Sequence, residues 1–97
     1  MTAKYETVAA SQTLQGLGSV GNAGDYLDYL MVVPSSVSPG AIVIGDGDVS
    51  ITVFEGGANS LSNLVPFMIP LGLTSQHGPW TMTTGVNLSV IALGNFT

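Results

Sequence analysis

From Gly56 to Thr97 the chain contains no Asp, Glu, Lys or Arg. An uncharged stretch of this length must either lie in a bilayer or clothe itself in neutral polar groups. Pro66, Pro70 and Pro79, with Gly72, Gly78 and Gly85, interrupt every window of the roughly 18 to 20 apolar residues that a spanning helix requires. What remains is a strand-rich body with an exterior of Ser, Thr, Asn and Gly. Ser, Thr, Asn and Gln number 27 of the 97 residues, enough to wet such an exterior without charge.

The shortage of charge extends to the whole chain, where charged residues make up 7% against about 25% in a typical soluble domain. Glu6, Asp25, Asp28, Asp46, Asp48 and Glu55 face a single base, Lys4, for a net charge of −5. Nucleic-acid binding is thereby disfavoured, because a phosphate backbone is gripped by Lys and Arg that displace counterions. An anionic membrane surface is disfavoured for the same reason. Cysteine is absent, so no disulfide framework, thiolate metal site or thiol nucleophile is available. The N-terminal MTAKYETVAASQ lacks the apolar run of a secretory signal and any lipidation motif, so Sec export is not expected.

No segment sustains an apolar repeat of three to four residues, and Pro or Gly punctuates the chain every few residues, so an all-β fold is expected. A chain this short supports one core. Tyr5 to Thr13 reads as an edge strand, and Tyr26 to Val33 as a strand ended by Pro34. Ala41 to Ile44 and Val49 to Phe54 flank Gly45-Asp46-Gly47-Asp48, a strong hairpin signal, with Val49, Ile51 and Val53 sharing one face. Phe67, Ile69, Leu71 and Leu73 alternate through an edge or bent strand marked by Pro66 and Pro70. Trp80 to Thr83 and Val86 to Leu93 read as a last hairpin around Thr84-Gly85, with Leu88, Val90 and Ala92 inward.

Displacing the sequence by about 39 residues lays Asp48-Val49-Ser50-Ile51 on Asn87-Leu88-Ser89-Val90, as though two hairpins stacked face to face. About seven short strands at this spacing favour a small antiparallel β-sandwich or jelly-roll-like fold. Its expected parts are an N-terminal edge strand or arm over residues 1–13, a Gly-rich connection over 14–25 and a sandwich body over 26–97, within one domain.

Several stretches mimic chemical motifs. Gly16-Leu17-Gly18-Ser19-Val20-Gly21 matches the glycine spacing of a dinucleotide loop, but no helix can open at Gly21 and no acid lies near position 36. A flexible connection, hinged at Gly16, Gly18 and Gly21, is the expectation. Asp46 and Asp48 resemble the start of a calcium loop, but position 57, where a bidentate glutamate would close it, is Gly57. A turn aspartate that bonds its own backbone explains them. Asp25 and Asp28 lie three apart, on opposite faces of an extended strand, and read as solvated charges. Ser75 and His77 would need an acid and a nucleophile elbow, and no G-x-S-x-G occurs. Asn87-Leu88-Ser89 and Asn95-Phe96-Thr97 fit the glycosylation acceptor only in a secreted eukaryotic chain. No catalytic residue, metal site or cofactor is therefore expected.

The uncharged exterior is suited to being covered, and Tyr26, Tyr29, Trp80 and Phe96 are the aromatic candidates for contact, although Trp80 and some tyrosines serve equally well as core. The segments ETVAASQT (6–13), GDYLDYLMVVP (24–34), SPGAIVIGDG (38–47), ITVFEGG (51–57), VPFMIPLGLTS (65–75) and GPWTMTTGVNLSVIALGNF (78–96) resemble small proteins encoded near the head genes of tailed bacteriophages. The resemblance implies a capsid decoration, or cement, protein on the outer surface of the head. It would bind the major capsid protein and form a homo-oligomer, a trimer being favoured. Residues 2–13, with Lys4, Tyr5, Thr7 and Val8, would pair with the capsid as an added strand. A β-sandwich adhesion or carbohydrate-binding module, stacking Trp80 and tyrosines on sugar rings, is the alternative, with a small hydrolase behind it.

Overall fold

A computed structural model describes residues 4–97, and among them every regular element is a β-strand. Residues 2 and 3 of the expected capsid-pairing segment lie outside the described residues. The strands are β1 (Lys4–Val8), β2 (Gln15–Gly16), β3 (Tyr26–Pro34), β4 (Ile42–Asp46), β5 (Val49–Phe54), β6 (Phe67–Thr74), β7 (Trp80–Thr84) and β8 (Leu88–Asn95). No helix among the described residues is long and apolar enough to cross a membrane.

Two four-stranded antiparallel sheets result, the first ordered β1-β8-β3-β6 and the second β2-β7-β4-β5. Each strand pairs with the one equally far from the turn at Gly47: β4 with β5, β3 with β6, β2 with β7, β1 with β8. The chain is one long hairpin, rolled so that β8 also meets β3 and β7 also meets β4. That winding is a jelly roll, with the sandwich architecture that the strand spacing predicts. The turn at its tip is tighter than the Asp-Gly signal suggests. Asp46 pairs with Val49 as the last residue of β4, and Gly47, with φ of 62°, takes the first central position, as a type II′ turn requires.

The expected last hairpin does not form. β7 pairs with β2 and β4 in one sheet, and β8 with β1 and β3 in the other, so residues 85–87 carry the chain across the sandwich. At this crossing a Cβ on Gly85 would stand 2.5 Å from the Cα of Gly40, so two backbones pass where neither tolerates a side chain. The second turn signal was real, but it turns the chain between layers.

Both sheets send alternate residues inward. Trp80 and Met82 of β7 and Ile42 and Ile44 of β4 meet Leu88, Val90 and Ala92 of β8 and Leu27, Leu30 and Val32 of β3. Leu27 and Leu30 both face the core although they lie three apart, because against β8 the register slips between Leu27, opposite Gly94, and Tyr29, opposite Leu93, and leaves Asp28 as the extra residue of a bulge. A second slip, in β5, displaces the expected trio of Val49, Ile51 and Val53. Ile51 pairs opposite Ile44, but Phe54 rather than Val53 pairs opposite Ile42, and its ring lies 5.5 Å from that of Phe67 across the sandwich.

β1 stops at Val8, short of the expected Thr13. Thr84, buried in β7, draws residues 9–12 toward the other sheet: its hydroxyl donates to the Ala9 carbonyl at 2.6 Å and accepts from the Gln12 amide at 3.0 Å. β2 follows, and the Leu17 amide donates to the Trp80 carbonyl while its side chain enters the core. The Gly-rich connection is therefore fastened at both ends. Gly16 pairs with Thr81; Gly18, at φ of 90°, lies against the backbone of Thr97, and Gly21, at φ of 76°, lies against Pro79.

Candidate interaction surface

In a jelly roll each sheet has an inner face in the core and an outer face toward solvent, so alternation should leave polar residues outside. The second sheet obeys. Its outer face carries Thr81 and Thr83 of β7, Val43 and Gly45 of β4, and Ser50 and Thr52 of β5, aligned by register. Thr81 fills the space over Gly45, where a Cβ would collide with its hydroxyl, and this buried hydroxyl has no hydrogen-bond partner.

The first sheet does not obey. Register places Tyr5, Leu93, Tyr29 and Pro70 in one row across its outer face, and Thr7, Ile91, Met31 and Met68 in the next. Val33 follows beside Ser89. Tyr5 is 73% exposed, Met68 54% and Val33 36%, while Tyr29, Met31, Ile91 and Leu93 are half-buried among one another. Strands carrying apolar residues on both faces are the mark of a sheet covered on both faces, yet among the described residues nothing covers the outer one. The sandwich measures 36 × 27 × 19 Å, so this broad face is of the size that supplies the roughly 800 Å² per partner of a standard interface.

Charge is nearly excluded from it. Glu6, in β1, turns to the other side and accepts from the Gly18 amide at 2.9 Å and from Gln15 Nε2 at 3.5 Å. Lys4 Nζ donates to the Phe96 carbonyl at 3.2 Å, beyond the rim. Asp28 is the one carboxylate on the face, placed there by the β3 bulge and accepting from the Tyr26 hydroxyl at 3.4 Å. An open depression of about 360 Å³, lined by Ala9, Ala10, Val33, Pro34 and Ser89 among others, continues the surface at one end.

The expected contact residues divide. Tyr5, Thr7, Tyr26 and Tyr29 gather on this face and Lys4 stands at its edge. Val8, Trp80 and Phe96 do not reach it: they are core residues, 0%, 2% and 3% exposed, and the Trp80 indole donates to the Asp25 carbonyl at 2.9 Å. Reading β8 for the alternation of Leu88, Val90 and Ala92 passed over Ile91 and Leu93, and reading β3 for its tyrosines passed over Met31. The signal was present in near-continuous apolar runs, YLMVV and VIAL, that fill both parities of a strand.

Two of the carboxylates read as solvated or self-bonded, Asp25 and Asp46, are structural. Asp25 is buried and accepts from the Thr97 amide at 3.1 Å, the Thr97 hydroxyl at 3.0 Å and the Asn22 amide at 3.2 Å. Burial alone would raise its pKa, but these donors, with the Lys4 charge, hold it below the ordinary aspartate value. Asp46 bonds a distant loop rather than its own turn, accepting from the amides of Gln76 at 3.0 Å and His77 at 3.0 Å. Burial again opposes and is again outweighed, by the amides of His77, Gln76 and Gly78, so its pKa is lowered too.

Asp46 thus lies beside Ser75 and His77, but its oxygens are engaged by main-chain amides. The Ser75 hydroxyl donates to the Asn22 carbonyl at 3.1 Å and accepts from the Gly24 amide at 2.9 Å. Asp48 is exposed, and no group of three His, Asp or Glu side chains able to hold a metal ion occurs among the described residues. No family model, curated protein or solved structure matches the chain.

Proposed function

We propose that this chain is a non-enzymatic structural protein of a tailed-phage virion, which seats the outer face of its first sheet on the major capsid protein and stabilises contacts between neighbouring capsid subunits. The observation that carries the reading is the asymmetry between the two outer faces, hydroxyl and glycine around a single valine, Val43, on one sheet, tyrosine, methionine and aliphatic carbon on the other. Covering such a face removes apolar area from water at about 25 cal/mol per Å², and a face of this kind marks an interaction site. The net charge of −5 is repelled by packaged DNA, which favours the outside of the head. Copies joined as a symmetric homo-oligomer would engage several capsid subunits together, so that modest single contacts add through effective concentration. The carbohydrate-binding alternative rests on Trp80 and tyrosines; the Trp80 ring is in the core, which leaves it the tyrosines of the outer face.

Co-sedimentation with undecorated heads, preceded by light scattering of the free protein, tests this. Met31→Lys combined with Ile91→Lys should weaken attachment more than tenfold, about 1.4 kcal/mol or more, whereas Thr83→Lys on the opposite face should leave it within a factor of about two. A monomer that ignores heads, or a face variant that binds as well as the parent, overturns the proposal. Specific hits on a glycan array without affinity for heads would transfer it to the sugar reader.

A further inference from the structure

A jelly roll of two open sheets has four edge strands, and an unpaired edge is a template for another chain unless something blunts it. Here the edges are β1, β6, β2 and β5. β1 carries Lys4 and Glu6, whose register places them on the inner side of the sheet, an arrangement that obstructs pairing. β6 carries Pro70, which has no amide to donate, and follows Pro66. β2 is two residues long. Only β5, Val-Ser-Ile-Thr-Val-Phe, has six residues, no proline, no charge and a composition of β-branched and aromatic residues that favours strands.

The hairpin fixes which of its main-chain groups are free. The two-residue turn closes on Asp46 and Val49, and in an antiparallel ladder hydrogen-bonded pairs alternate, so Val49 and Ile51 bond toward β4. The Gly47 amide donates to the Pro79 carbonyl, which puts the odd-numbered residues of β4 in bonds to β7 and agrees with that alternation. The amides and carbonyls of Ser50 and Thr52 therefore point away from the sheet. Val49 and Ile51, each 41% exposed, offer apolar contact beside them.

We infer that the β5 edge accepts an extended segment of another protein by strand addition, and that this segment is basic at both ends. The occupant is argued from charge. Asp48, in the turn, and Glu55, both exposed, bracket β5, and the six strand residues between them span about 20 Å. A second copy is a poor occupant: two β5 strands paired antiparallel about their centres set Asp48 against Glu55 twice, and like charges directly opposite destabilise a pair. The chain's only cation, Lys4, is already held by the Phe96 carbonyl. A partner strand with Lys or Arg seven residues apart and apolar or hydroxyl residues between them satisfies both ends. This inference stands independently of whether the outer face of the first sheet seats on a capsid.

The test uses two fluorescent eight-residue peptides, Lys-(Thr-Val)3-Lys and Glu-(Thr-Val)3-Glu, with the full chain at low salt. The Lys-ended peptide should bind saturably and about tenfold more tightly than the Glu-ended one, the expected scale for two exposed ion pairs. Amide exchange should slow at Ser50 and Thr52 and remain unchanged in β1. Thr52→Pro, which removes an amide that β4 does not use, should abolish binding. If that variant does not fold, Asp48→Lys with Glu55→Lys should instead reverse the preference toward the Glu-ended peptide. No saturable binding of the Lys-ended peptide up to about 1 mM, equal binding of the two peptides, or protection at β1 in place of β5 would overturn the inference.

Discussion

Asp25 shows how one carboxylate can tie together parts of a chain that sequence reading keeps apart. Its oxygens hold Asn22 and Thr97, its carbonyl takes the Trp80 indole, and the Ser75 amide donates to that same carbonyl at 2.9 Å. Removing the side chain leaves the amides of Asn22 and Thr97 and the Thr97 hydroxyl without their charged partner, so Asp25→Ala should cost about 2 to 3 kcal/mol in urea unfolding followed by Trp80 fluorescence. Asp25→Asn, which keeps an acceptor oxygen, should cost less. Acid is a second probe. Asp25 and Asp46 both have lowered pKa values in the fold, so the unfolded chain binds their protons at higher pH than the folded one does. Their contribution is complete above the unfolded value of about 3.9 and is lost as pH falls through the lower folded values. The urea midpoint should be flat from neutral pH to about 5 and drop below about 4, with a shallower drop in Asp46→Asn. Little of this was legible: local pattern makes Asp25 a polar residue ahead of a strand, and its partner Thr97 stands 72 positions away.

At the scale of elements, legibility depended on how local the determinant was. β5 and β6 fall where alternation placed them, Val49–Phe54 and Phe67–Thr74, because a strand's period and its breakers lie within a few residues. The β4–β5 hairpin was equally readable, since a two-residue turn leaves the chain only one way to return. The β7–β8 connection was not. Thr84-Gly85-Val86-Asn87 carries turn residues, but whether a turn returns a strand to its own sheet or delivers it to the facing one depends on partners far away, β2 and β4 for β7, β1 and β3 for β8. Gly85 is the residue on which that crossing depends. In Gly85→Ala the new Cβ would meet the Gly40 Cα at 2.5 Å and the Ala41 nitrogen at 2.8 Å, both backbone. A loss of about 2 to 4 kcal/mol is expected, the scale of overpacking in a site that cannot yield. The thermal midpoint measures it, and Gly24→Ala, where nothing lies within 4 Å but φ is +98°, reports the cost of backbone strain alone.

For the whole molecule, composition and fold meet in one consequence. Attachment by the outer face of the first sheet would draw on apolar contact, with Asp28 the one carboxylate placed there, while the remaining acids lie in the core, at the rims or on other elements. Ion pairs between exposed groups weaken as salt shortens the screening length from about 10 Å at 0.1 M to about 3 Å at 1 M, but burial of apolar area does not, and sulfate strengthens it. Binding to undecorated heads should therefore change by less than about threefold between 0.1 and 1 M sodium chloride and tighten in ammonium sulfate. Titration calorimetry at several temperatures should give a negative heat-capacity change, the most robust sign of apolar burial. The β5 edge should respond in the opposite way, because Asp48 and Glu55 select the Lys-ended peptide by exposed ion pairs, and its roughly tenfold advantage over the Glu-ended one should fade as salt rises. Two surfaces on one small sandwich are then told apart by their response to salt: head attachment by the first sheet is held nearly constant to about 1 M, while peptide selection at β5 fades.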